Sequence, residues 1–479
     1  INDKKEIIIF QVRPITVSAL DDFNKDKIKE CILSFKRKFK ELSKRKNHLA
    51  GDRTFFADMP DWNPAEIIGD RPNFLDFYLY DYIITGDIWH EARTCQGYYD
   101  VNPSKLVIQF GDKPYIDVRS SFNSFTPAKI SQDLREKLIS FYLNKLENNP
   151  EFQDKVEFEI AFTCFDFNFD EQSKELLEFG FNSEEVHNLK ESLIELTNNL
   201  VLNAEENINN DIEKLKLMEK TREDINREID LENDSTNSLL KKVKFLLDDC
   251  RKNGTVQFSR LARLAFIGKI ILNSLVRRGV IDNELFSKFM NSVSTVASEI
   301  MQDYKKMCSK EISKDQFIKK YYHLRPGTYD ITSSRYDSNP DLFEEINFDI
   351  LNEDEEIFYI SKSKLKEIDP YLKNEGLKFN SYELFKFAKK AIETREKAKF
   401  EFSKNLSDAI ELIIVTGEKM GFTKYELSQL STDDLFCFND ENSQAITKVW
   451  KEKIVLGNIE KELFNKVELP PILFSEKDF

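Results

Sequence analysis

Between Tyr321 and Pro340 the chain reads YYHLRPGTYDITSSRYDSNP, a stretch dense in side chains able to do chemistry. Pro326-Gly327 marks a turn, because proline fixes φ and glycine is free to take positive φ. Around it stand His323, Arg325, Tyr329, Asp330 and Arg335. Each guanidinium offers a planar fork of donors that suits phosphate or carboxylate. His323, beside Arg325, reads either as a substrate contact or as a buried structural group. The whole stretch also fits a second reading, a loop pinned to its domain by Tyr–Asp and Arg–Asp bonds.

Other segments carry polar residues in apolar settings. PYIDVRSSFNSFTP reads as a strand with Asp117 and Arg119 two apart, hence on one face, with Ser121 and Asn123 following. SRLARLAFIGK sets Arg260 and Arg263 into an otherwise apolar helix, and Arg395 and Lys399 share a helix face at i, i+4. DMPDWNPAEIIGDRP is a turn-rich loop with Trp62 and Asn63. An internal Arg–Asp bond explains each of these alone. Together they supply several cations in a chain of net charge −15, which is what a pocket for a small anionic substrate needs. The same acidic balance argues against general nucleic-acid binding. No Walker A, GxSxG, HExxH or GxGxxG signature is present. The histidines (His48, His90, His187, His323) are isolated and the six cysteines form no CxxC, so no metal site or disulfide framework is expected. A reducing, cytoplasmic setting fits. No apolar run approaches the ~18 residues of a membrane span, so no membrane insertion is expected.

The elements that must position these residues give an α+β fold: a small mixed α/β unit, then a large mainly helical region with long antiparallel helices. EIIIFQV at the start is a short β-branched strand ended by Pro14. Residues 21–46 form an amphipathic helix. KLVIQF and PYIDVR flank a GDK turn as a hairpin, KVEFEIAFTCF alternates as a third strand, and a helix near Ala128–Leu146 covers one face. From Ser183, read as an N-cap, a run without Pro or Gly makes one or two long helices. FSRLARLAFIGKIILNSLVRRG is a helix closed by Gly279, and NELFSKFMNSVSTVASEIMQDYKKM another. The acidic stretch 341–356 reads as exposed or as a linker. Helices through YELFKFAKK and SQAITKVWKEK and an extended exit at ELPPILF complete the chain. The units divide at 1–20, 21–180, 181–340 and 341–479.

Six motifs carry a resemblance: FQVRPIT, DWNPAEIIG, PYIDVRSSFNSFTP, HLRPGTYDITSSRY, KFEFSKNLSDA and ELPPILF. The first resembles the end of the ATP-grasp-like nucleotide-binding domain of the phosphoenolpyruvate synthase and pyruvate phosphate dikinase superfamily. The others resemble the central region of a subgroup of that superfamily found in surface-polysaccharide pathways. The resemblance implies that residues 1–20 end a nucleotide-binding domain, and that a phosphohistidine domain follows 341–479 in the full-length protein. It implies ATP and Mg²⁺ as cofactors, with Gln11 and Arg13 matching the pair that holds metal and phosphates. It implies L-glutamine as acceptor, phosphorylated on its side-chain amide nitrogen for capsule phosphoramidate synthesis, with AMP and phosphate formed. On that basis Arg325 and Arg335 would clamp the phosphoryl group and Asp330 would serve as base. Arg119 and Asp117 would take the α-carboxylate and α-ammonium, with Asn123, His323, Tyr329, Arg263 and Arg395 also lining the site. The chain alone would be inactive. Two alternatives stay open: a related phosphotransferase acting on pyruvate or a sugar, and a non-catalytic helical interaction module.

Overall fold

The computed structural model describes residues 22–339, 358–436 and 443–479. The strand expected at EIIIFQV, with Gln11 and Arg13, and the acidic stretch 341–356 lie outside the described residues. The first described element, α1 (Asp22–Leu42), buries Cys31, Phe35 and Phe39. These recur every four residues and so share one helix face. That face meets an antiparallel sheet in the order β2-β3-β1-β4, made of β1 (Phe56–Ala57), β2 (Val107–Phe110), β3 (Lys113–Asp117) and β4 (Ile472–Leu473). Phe39 lies edge-on to Phe56 at 5.4 Å, and Phe56 to Phe110 at 5.3 Å, a favoured geometry for packed rings. β2 and β3 form the expected hairpin, with Phe110 opposite Lys113 and Gly111 at φ 66°. Positive φ at the first of two turn residues matches the twist of the strands. β4 comes from the ELPPILF exit and pairs Leu473 with Phe56, so distant parts of the chain close one sheet.

Around the sheet lie α2 (Phe74–Tyr80), α3 (Ile88–Thr94), α4 (Val118–Ser124) and α5 (Gln132–Asn148). α5 falls where expected, capped by Ser131, whose Oγ accepts from Leu134 N at 3.2 Å. Two strand expectations fail. KVEFEIAFTCF is not a strand: Val156–Ile160 is a π-helical turn. Its alternation also sets Val156 and Ile160 at i, i+4, so the pattern serves either period. PYIDVR is a strand only to Asp117. There the carboxylate accepts from Ser120 N at 3.3 Å and caps α4.

The helical half begins with α6 (Ser183–Leu202) and α7 (Ala204–Arg227), separated by Asn203. The cap of α6 is Asn182, not Ser183: Asn182 Oδ1 accepts from Glu185 N, and Glu185 accepts from Asn182 N, both at 2.8 Å. α8 (Thr236–Cys250) passes through a π-helical turn, Arg251–Thr255, into α9 (Val256–Arg277), which ends before Gly279 at φ 70°. The next expected helix is two, Asn283–Asn291 and Val296–Cys308, because Thr295 caps the second by accepting from Ser298 N. α10 (Lys314–Tyr321) leads into the Pro-Gly loop. α11 (Ser381–Lys419) has 39 residues and so runs about 58 Å. α12 (Ser443–Phe464) precedes β4.

The core of this half is α11 lying antiparallel to α8 and α9. Asn405 donates to Leu246 O, Phe402 meets Cys250 and Gly254, and Ala388 meets Gly268, so one numbering rises as the other falls. Gly268 permits that approach: a Cβ there would stand 2.9 Å from Ala388 Cβ and 3.0 Å from its Cα. No described helix is long and apolar enough to cross a membrane. Gly268→Val should therefore force the long helices apart and lower unfolding free energy by about 1–3 kcal/mol, measured by denaturant titration. An unchanged midpoint would show that the helices do not close on this glycine.

Candidate functional site

The segment after α10 closes on itself, with Tyr336 N donating to Leu324 O at 2.9 Å. Asp330 holds the turn: its Oδ1 accepts from Thr332 N at 2.8 Å and Thr332 Oγ1 at 2.6 Å, and its Oδ2 from Ser333 Oγ at 2.8 Å. Both oxygens thus accept hydrogen bonds within the turn. Gly327 does not take positive φ. It is needed for space, since a Cβ would lie 2.8 Å from Asp330 Cβ.

The loop then docks on α11. Arg325 donates to Ser407 Oγ at 3.1 Å and Glu411 Oε1 at 2.9 Å, and Ser407 Oγ donates to His323 O at 2.8 Å. Asp408 is the hub. It accepts from Arg335 at 3.2 Å, Tyr322 Oη at 3.2 Å and Asn226 at 2.9 Å, with Arg222 Nε at 3.7 Å. Arg335 also binds Asp337 at 2.6 Å and lies over the Tyr322 ring at 4.6 Å. Lys404 pairs with Glu401 at 2.9 Å. So the loop is pinned as the second reading requires, and the pinning gathers Arg222, Arg325, Arg335 and Lys404 around the buried carboxylate of Asp408 and the more accessible ones of Glu401, Glu411 and Asp337. Two groups keep unused capacity: Arg325 Nε and both ring nitrogens of His323 make no hydrogen bond among the described residues. His323 is 2% exposed and packs edge-on to Phe400 at 4.6 Å. Burial first, then Lys404, Arg222, Arg335 and Arg325, hold its pKa down to about 2.

A second buried polar set adjoins through aromatic contacts. Tyr329 lies edge-on to Tyr80 at 5.4 Å, and Tyr80 Oη donates to Trp62 O at 2.7 Å. Next to Trp62, Asp61 takes a bidentate contact from Arg93 and a 2.7 Å bond from Ser121 Oγ. Arg263 pairs with Glu157 at 2.5 Å. Phe125 has Arg93 at 4.4 Å and Arg263 at 4.8 Å from its ring centre. Arg395 meets this set only at the Phe266 ring, which has Arg395 at 5.5 Å and Arg263 at 5.8 Å from its centre, and it lies beside Glu396 at 3.4 Å. Near the loop, Asp76 is buried with Oδ1 unbonded. Burial and then Asp330 raise its pKa to about 7.

Asp117, Arg119 and Asn123 belong to neither set, and the expectation that Asp117 and Arg119 share one strand face is corrected. Asp117 and Arg119 sit on either side of the β3–α4 junction rather than on one strand face. Asp117 accepts from Thr54 Oγ1 at 2.7 Å. Arg119 donates to Leu42 O and Lys44 O at 3.1 and 3.0 Å, capping the end of α1. Asn123 bonds both backbone groups of Ala50 at 2.9 Å. Reading the sequence missed Arg222, Asp408, Arg93 and Glu157. Arg222 carried a signal, lying on the stripe Asp211, Leu215, Met218, Arg222 of α7, where the spacing is that of a buried face.

Among the described residues no cluster of His, Cys, Asp or Glu is placed to hold a metal ion. No protein-family model matches the chain, and no curated protein matches it.

His323 gives the site a pH signature. Its folded pKa lies below the usual value near 6.5, so between those values the unfolded state binds the proton and stability falls as pH drops. Relative to His323→Phe, the wild type should lose about 1.4 kcal/mol per pH unit below pH 6. Parallel curves for the two proteins between pH 7 and 5 would show that His323 is not held neutral.

Proposed function

We propose that the chain is the central substrate-binding region of an ATP-dependent phosphotransferase that works through a phosphohistidine carrier. The acceptor on this reading is the side-chain amide nitrogen of L-glutamine, as in the L-glutamine kinase of capsular phosphoramidate biosynthesis, which the six motifs resemble. The observation that supports it is the docked loop: HLRPGTYDITSSRY and KFEFSKNLSDA, far apart in sequence, meet and gather Arg222, Arg325, Arg335 and Lys404. Phosphoryl transfer passes through a loose transition state, so a protein accelerates it mainly by positioning and charge neutralisation. Glu411, Asp337 and Asp408 hold the guanidiniums in place before a phosphoryl group arrives. An incoming dianion takes over donors now given to Glu411 and Asp337, and meets Arg325 Nε, which is already unengaged.

ATP and Mg²⁺ are held, on this reading, by a nucleotide domain to which Gln11 and Arg13 belong. The carrier histidine belongs to a further domain of the same protein. The described residues supply the electrostatic clamp. Asp76, beside Asp330 and poised near neutrality, suits the removal of an amide proton better than Asp330, whose oxygens are used by the turn.

The test uses the full-length protein with ATP, Mg²⁺ and L-glutamine, read by phosphorus NMR for an N–P species. Arg325→Ala should lower its rate of formation by on the order of 100-fold while leaving the melting temperature within a few degrees. Near-normal turnover in that variant would return the loop to a purely structural role. Phosphorylation of pyruvate or a sugar, with none of L-glutamine, would overturn the acceptor.

A further inference from the structure

Charge is unevenly spread along this chain. Residues 22–46, which are α1 and the turn after it, carry ten Lys and Arg against four Asp and Glu, in a chain of net charge −15. The apolar side of α1 is spent on the sheet, through Cys31, Phe35 and Phe39. Lys29, Arg37 and Lys40 stand exposed on the opposite side, with Leu33 among them at 47% exposure. Positions 29, 33, 37 and 40 share one helix face. Lys40 has Glu476 at 3.7 Å, an exposed pair of the kind that holds weakly and yields readily to another anion.

An apolar feature adjoins this basic one. α12 exposes Val455, Leu456 and Ile459 at 58%, 56% and 54%. Val455, Ile459 and Leu463 follow at i, i+4 and i+8 and so form one stripe. The end of that stripe meets α1. Leu463 and Phe464 pack on the same small core as Ile28 and Ile32, and the Phe464 ring lies 6.0 Å from that of Phe35. Burial first, then Glu460 of α12, push the Cys31 thiol up to about 11. Ile32 and Lys36 are one turn apart, so the cations of α1 border the side turned to α12. A basic ridge and an apolar ridge thus lie side by side.

We propose that this two-helix face docks on an anionic membrane surface, along which the chain lies without crossing it. Lipid head groups supply dispersed negative charge for Lys29, Arg37 and Lys40, and the boundary beneath them accepts Leu33, Val455 and Ile459. A nucleic acid would use the cations and leave the aliphatic stripe in water. The three aliphatic side chains of α12 are too small a patch to form the core of a stable protein interface, which buries about 800 Å² per partner. Because the rest of the chain is strongly acidic, only this edge is drawn to a negative surface, which fixes the orientation of docking. The inference rests on α1 and α12 alone and stands or falls independently of phosphoryl transfer.

The test is flotation of the 479-residue chain with vesicles of equal parts phosphatidylcholine and phosphatidylglycerol, against vesicles of phosphatidylcholine alone. The chain should float with the anionic vesicles and not with the neutral ones, and binding should weaken as salt rises. The triple variant Lys29→Gln, Arg37→Gln, Lys40→Gln should bind about 100-fold more weakly, at roughly fivefold per cation. The double variant Val455→Ser, Ile459→Ser should lose about tenfold. All five side chains are exposed, so both variants should keep the wild-type melting temperature. No flotation with anionic vesicles, equal flotation with neutral ones, or undiminished binding by the triple variant would each overturn the proposal. Undiminished binding by the aliphatic variant, or displacement of the vesicles by duplex DNA, would overturn the lipid assignment in favour of a general polyanion.

Discussion

The helical half depends on one buried carboxylate and the helix that carries it. Asp408 sits on α11, 7% exposed, and is met by Arg222 from α7, Arg335 and Tyr322 from the loop side, and Asn226 from the end of α7. A buried charge left without partners costs several kcal/mol. Each partner therefore has a strong reason to stay, and the loop inherits its position from them. The close antiparallel contact of α11 with α8 and α9 fixes where Asp408 stands, because Gly254 and Gly268 bring the backbones together at two points. Packing places the Asp408 carboxylate, which places Arg222 and Arg335, while Glu411 and Ser407 of the same helix hold Arg325.

That arrangement explains how a chain of net charge −15 can concentrate cations. Arg222, Arg325, Arg335 and Lys404 each stand within an ion pair, so their local charge is balanced and the fold tolerates them together. Such pairs add less to stability than to geometry, since replacing a whole buried pair by apolar residues is often neutral. The Arg93–Asp61 and Arg263–Glu157 pairs follow the same rule at the other end of the Tyr329–Tyr80–Trp62 contacts. His323 is the exception: neutral, buried, and with both ring nitrogens unbonded.

The fold class was legible in the sequence because its long helices have strong periodicity and clear caps, and because Gly111 marks the hairpin turn. The loop was legible as a polar turn with two arginines. Its partners were not, since nothing local to Asp408 or Arg222 tells which distant helix each will meet. Asp117 and Arg119 misled because alternation over PYIDVR continues past the point where the Asp117 side chain starts a helix. A capping aspartate three residues before Ser120 and a strand residue look alike until the next turn is known. Val156–Ile160 misled for a related reason, as five residues are too few to separate a period of two from one of 3.6. Gly327 was read for its freedom in φ, whereas the turn needs its lack of a side chain.

The account turns on Asp408 holding the loop to α11, and amide hydrogen exchange measured segment by segment in the wild type and in Asp408→Asn tests it most directly. Asparagine keeps the shape and an acceptor for Tyr322 while removing the charge that Arg222 and Arg335 share. Exchange across residues 322–337 should accelerate strongly in the variant, while α8 and α9 keep their protection. Unchanged protection of 322–337 would contradict the account, showing that the loop is held by its own turn and by the Arg325 and Ser407 bonds rather than by the Asp408 carboxylate.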